Sequence, residues 1–96
     1  MPTESFVCYG EGKTAQEAFD SERAAFREAW GGQEYTGTIA EKDSFVMIDL
    51  PAGEDAEAYA YSLIDANDPR IADKYGPAGC IEVGGDEWLF FGLSIG

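Results

Sequence analysis

Apolar residues follow two alternating patterns along this chain. Residues 6–9 (FVCY) are aromatic, β-branched or thiol-bearing and read as a strand, which Gly10 and Gly12 then interrupt. Beyond them Ala18, Phe19, Ala25, Phe26, Ala29 and Trp30 recur at helical spacing and form one apolar stripe. Thr14 and Glu17 supply a T-x-x-E capping box at its start, and Gly31-Gly32 ends it. Helical spacing returns between residues 54 and 66, at Ala56, Tyr59, Ala60, Leu63 and Ile64. Glu54, Asp55 and Glu57 occupy its first turn, where the helix dipole favours negative charge, and Asp68-Pro69 stops it.

The remaining runs read as strands. Residues 36–40 and 44–50 form two, joined by a polar turn at Glu41 to Asp43. Pro51-Ala52-Gly53 is a linker, and residues 70–78 are irregular around a Gly76-Pro77 turn. The end is a hairpin: Cys80 to Val83, a Gly84-Gly85-Asp86 turn, then Trp88 to Ile95. The expected order is β-α-β-β-α-β-β. It describes a single small α+β domain over residues 1–96, with a mainly antiparallel sheet and both helices packed on one face. Ninety-six residues suffice for one core and not for two.

This arrangement has a consequence for function. Val46, Ile48 and Leu50 share one face of their strand, and Phe45 and Met47 take the other. In the last strand Leu89, Phe91, Leu93 and Ile95 oppose Trp88 and Phe90. Helices on one side alone would leave Phe45, Met47, Trp88 and Phe90 facing water, as an apolar patch of the kind that marks an interface. The other reading makes these central strands, covered on both sides. The sequence leaves both open.

Charge narrows the choice of partner. Nineteen acidic residues against six basic give a net charge of −13, which argues against a basic surface for nucleic acid or an anionic membrane. Adaptation to salt, ordinary solubility, and a surface made to meet a basic partner all remain. No apolar run approaches the roughly 20 residues that span a bilayer. The opening MPTES lacks the features of a secretory signal, so a cytoplasmic location is expected. Cys8 and Cys80 then read as buried thiols, with a disulfide feasible only between neighbouring strands. The chain has no histidine, which removes Ser-His and Cys-His catalysis and the usual zinc sites. Neither an enzymatic activity nor a cofactor is expected.

The most suggestive motif is GEGKT, placed after a strand and before a helix, where a phosphate-binding loop would sit. A full P-loop needs a glycine where Val7 stands, and capping explains Gly12 and Thr14 without a ligand. Lys13 remains a candidate anion contact. Asp65 to Asp68 has a slight likeness to a calcium loop, but Pro69 and Arg70 occupy the wrong places, and Asn67 and Asp68 read better as a helix-end turn. Arg23, beside Phe19 and Phe26, is expected to snorkel or to pair with Asp20. Lys42, Arg70 and Lys74 fall in turns or loops, with Tyr35 and Tyr75 in similar segments. Convergence of Tyr35, Lys42, Arg70 and Lys74 would make a cationic spot suited to a small anion or nucleotide.

The segments GEGKTAQEAF, YTGTIAEKDSF, ADKYGPAGCIEV and WLFFG together resemble a family of small, uncharacterised proteins encoded by prokaryotes and their phages. That family shares a G-x-G-x-T-x-x-E-A opening, a YTGTIAEK block, a K-[WY]-G-P-A-G segment and an aromatic C-terminal strand. The resemblance covers most of the chain and brings no catalytic residue with it. It implies a phage setting, in which small acidic proteins often bind and redirect or inhibit host proteins. The resulting expectation is a non-enzymatic acidic binding protein that engages a host protein with a basic surface. The aromatic patch would serve as its anchor and also suits self-association into a homodimer. A small-anion or nucleotide binder using Lys13, Tyr35, Lys42, Arg70 and Lys74 is the alternative.

Overall fold

The computed structural model describes residues 3–29, 39 and 42–95. Six elements follow in order: β1 (Thr3–Glu11), α1 (Ala15–Ala29), β2 (Phe45–Met47), α2 (Ala56–Asp65), β3 (Ala78–Gly84) and β4 (Glu87–Ile95). The strands form one sheet in the order β1-β4-β3-β2. β4 runs antiparallel to β1 and β3, whereas β2 pairs parallel with β3. The chain is a small α+β domain with a mixed sheet. Of the strand expected over residues 36–40 only Ile39 is described, and it is buried. The strand expected over 44–50 shortens to Phe45–Met47, although Ile48 N–H still reaches the Cys80 carbonyl at 2.8 Å.

The two helices cover opposite faces of the sheet, which corrects the expectation that they share one. Phe6, Ala78, Cys80 and Phe90 pack with Ala18 and Phe19 of α1, and Cys8, Phe45 and Trp88 are partly buried beside them. Ile48, Ile81, Leu89 and Phe91 pack with Ala60 and Leu63 of α2, joined by Val7 and Val46. The reason is topological. β1, β2 and β3 all point the same way, so α1 and α2 both lie in crossover connections. The first carries the chain from one edge of the sheet to the other. The second returns one strand inward. Crossovers of one hand that reverse their direction of travel place their helices on opposite sides. β4, hydrogen-bonded on both edges, is covered on both faces, which explains its nearly continuous apolar run.

Local chemistry fixes how α1 meets the sheet. A Cβ on Gly10 would lie 2.8 Å from the Glu22 Cγ and 3.0 Å from the Ala18 carbonyl oxygen, and one on Gly12 would lie 2.7 Å from the Ala18 nitrogen. Only glycine permits this approach. Thr14 Oγ1 accepts from Glu17 N–H at 3.1 Å, and the Glu17 carboxylate accepts from Lys13 N–H at 3.0 Å. The cap thus works as expected, with its reciprocal bond shifted by one residue. α2 is capped by Asp55, whose carboxylate accepts from Ala58 N–H at 2.9 Å. At its far end Asn67 N–H reaches the Ile64 carbonyl and Asp68 N–H the Leu63 carbonyl, with Asn67 left-handed at φ 53°. That is a Schellman motif with asparagine in the usual glycine place, and it bears out the helix-end reading of Asn67 and Asp68.

Candidate recognition surfaces

The aromatic patch expected to face water lies instead under α1. Phe90 is fully buried, and its ring stands 5.6 Å from Phe19 and 5.9 Å from Phe45, centroid to centroid. Phe45 is half-buried and completes the trio at 5.0 Å from Phe19. Trp88 is also half-buried, and its indole N–H donates to the Gly12 carbonyl at 2.9 Å. Only Met47, 52% exposed, remains open among the four. Phe90 is therefore core, and Phe45 and Trp88 are partly buried against it and do not form an open patch with it.

Donors of the GEGKT turn are already taken by its own neighbours. Gly12 N–H donates to the Asp86 carbonyl at 2.9 Å, while Lys13 N–H and Glu17 N–H serve the capping box. The carboxylate that satisfies Lys13 N–H also places negative charge where a phosphate would need to sit. Lys13 itself is exposed.

Of the cations expected to converge, the structure brings Lys42 to the backbone of residues 73 and 74 and engages Lys42 and Arg70 with acceptors of their own. Lys42 is 1% exposed, and its ammonium donates to the backbone carbonyls of Lys74 at 3.2 Å and Asp73 at 3.5 Å. It acts as a clamp on the segment before β3. Arg70 is committed to Asp68 through two side-chain bonds and one backbone bond, each 2.9 Å. Those bonds hold the Asp68 carboxyl down at about 2, from an ordinary 3.8. The Lys74 ammonium stands 5.7 Å from the Tyr75 ring centroid. Tyr35 lies outside the described residues. Arg23 pairs weakly with Asp43 at 3.7 Å and lies over the Phe19 ring, whereas Asp20, its expected partner, bonds to the Gln16 amide at 2.9 Å.

The cysteines are separated by a whole strand. Cys8 and Cys80 both register with Phe90, from opposite sides of β4. Two inter-strand spacings put them about 10 Å apart, beyond the reach of a disulfide. Burial, helped by the nearby charges of Glu22 and Glu82 respectively, pushes both thiols up to about 12. Among the described residues no group of three or more Cys, Asp or Glu side chains is placed to hold a metal ion. No described helix is long and apolar enough to cross a membrane.

A different surface emerges on the α2 side of the sheet. Tyr9, 43% exposed on β1, donates its phenol proton to the Glu57 carboxylate at 3.1 Å. Its phenol is held above the ordinary value, first by desolvation, then by that hydrogen bond and the charges of Glu57, Asp55 and Glu87. Tyr61, 48% exposed, follows Glu57 by one helical turn, and exposed Asp65 follows by another. Two tyrosines, one from β1 and one from α2, thus stand among carboxylates of α2, its N-cap and β4. The sequence carried one sign of this surface, since Tyr61 falls outside the apolar stripe of α2. Tyr9 gave none, because it continues the apolar run FVCY.

No protein-family model, curated protein or solved structure matches this chain.

Proposed function

We propose that this chain is a non-enzymatic acidic binding protein whose partner is a protein with a basic surface. In the phage setting implied by the resemblance of its sequence segments, that partner is a host protein. The observation that carries the proposal is the surface of Tyr9 and Tyr61 among Asp55, Glu57, Asp65 and Glu87. Tyrosine supplies amphipathic contact area at low entropic cost and is enriched at interfaces. The surrounding carboxylates match a partner rich in Lys and Arg, and the net charge of −13 speeds encounter with it. The surface lies on rigid elements, with Tyr9 fixed in β1 and α2 capped at both ends.

The test is affinity for a protein captured with this chain as bait. Tyr61→Ala combined with Glu57→Gln should weaken binding by tenfold or more, equivalent to about 1.4 kcal/mol. Raising the salt concentration should lower the affinity of the wild type more than that of the variant. An unchanged dissociation constant in the folded variant would overturn the assignment of this surface.

A further inference from the structure

We propose that the flank of α1, on the opposite side of the sheet from Tyr9 and Tyr61, holds a binding site for a small oxyanion, a phosphate or carboxylate group gripped by Arg23 and Arg27. A cavity of about 220 Å³ lies there, lined by Asp20, Arg23, Ala24 and Arg27. A liquid water occupies about 30 Å³, so the space admits a tetrahedral or planar oxyanion with part of its hydration. The two guanidinium groups are four residues apart and so stack on one side of the helix.

Arg23 is placed by packing and not by an acceptor. Its guanidinium carbon stands 5.5 Å from the Phe19 ring centroid, and its side chain is 22% exposed. The Nε–H is shielded from solvent and has no hydrogen-bond partner among the described residues. Its one ion pair among the described residues is a 3.7 Å approach to Asp43, whose side chain is 98% exposed, and that distance is too long for a hydrogen bond. The shielded Nε–H holds the fork in place, and an oxyanion in the cavity would meet the terminal nitrogens of the guanidinium. Arg27 is exposed one turn further on, with no ion pair among the described residues. Two like charges at this spacing repel unless an anion bridges them. Guanidinium groups suit that task because their planar fork matches two oxygens at once.

The other four cations are accounted for differently. Lys42 and Arg70 are spent on carbonyls and on Asp68, Lys74 stands over Tyr75, and Lys13 projects from the cap of α1. Asp20 also lines the cavity, but one of its oxygens is taken by the Gln16 amide. Its charge and the overall excess of acid set the affinity to the modest end, so recognition depends on the fork geometry and not on the long-range field.

The test is a titration of the intact protein with inorganic phosphate and, separately, with acetate. It follows the Nε–Hε resonance of Arg23 by NMR, against sodium chloride of matched ionic strength. Saturable movement of that signal is expected, with a Kd of about 1 mM or tighter for one of the two anions, and the anion that saturates identifies the ligand class. Arg27→Gln, at an exposed position, should weaken the binding tenfold or more without moving the melting temperature. An Arg23 signal that moves no further in phosphate or acetate than in chloride would overturn the proposal. So would equal affinity in Arg27→Gln. Neither result bears on the Tyr9 and Tyr61 surface, which lies on the other side of the sheet.

Discussion

Replacing Phe90 with alanine separates a core residue from an interface residue. Phe90 has no solvent exposure and touches the rings of both Phe19 and Phe45, so its removal opens a cavity between β4 and α1. Burying a phenyl group and then deleting it costs about 3–5 kcal/mol. The two tilted ring contacts place this site toward the upper end, since each aromatic pair adds about 0.5–1.5 kcal/mol beyond area alone. A domain of this size has a total stability of about 5–15 kcal/mol, so the variant should keep only part of it or fail to fold. In thermal terms, at about 4–8 °C per kcal/mol, the melting temperature should fall by about 12–40 °C. The assay is urea unfolding followed by far-UV circular dichroism, with Met47→Ala as the comparison. Met47 is 52% exposed, and its truncation should stay within about 0.5 kcal/mol of wild type. A loss below about 1 kcal/mol at Phe90, or a larger loss at Met47 than at Phe90, would refute the two-sided covering of β4.

Three further outcomes follow from the same geometry. Lys42→Met should destabilise by about 1–3 kcal/mol because the carbonyls of Asp73 and Lys74 lose their donor, and amide exchange at Ile71 and Gly76 should quicken. Asp68 is depressed to about 2 in the folded protein, so its stabilising contribution is complete above its unfolded value near 4. That contribution is lost as pH falls through about 2, and the stability gap between wild type and Asp68→Asn, read by urea unfolding, should close across this window. Cys8 and Cys80, with thiols raised to about 12, should resist labelling at pH 8 until urea unfolds the chain; rapid labelling of the folded protein would contradict their burial.

Much of the fold is legible in the sequence because its signals are local. The stripe of α1, the Thr14–Glu17 cap, the acidic start of α2 and the terminal hairpin each depend on residues within a turn or two of one another. The placement of the helices is not local. It depends on the chain crossing the sheet one way through α1 and back through α2, which no short segment records. The alternation of Trp88, Leu89, Phe90 and Phe91 held the missing information, since apolar residues on both faces mark a strand covered twice. Lys42 illustrates the opposite case. Its sequence setting is a polar turn, and the carbonyls that bury it come from residues 73 and 74, far along the chain. Tyr9 became a surface residue only when the register with β4 put it beside α2.

The most direct test of the proposed function is carboxyl and tyrosine footprinting of the chain, free and in complex with a protein captured by it. The account predicts that Glu57, Asp65, Tyr9 and Tyr61 become protected in the complex while Asp20 and Glu28 on α1 keep their free reactivity. Protection confined to the carboxylates of α1, or the absence of any stoichiometric complex with a basic protein, would contradict it.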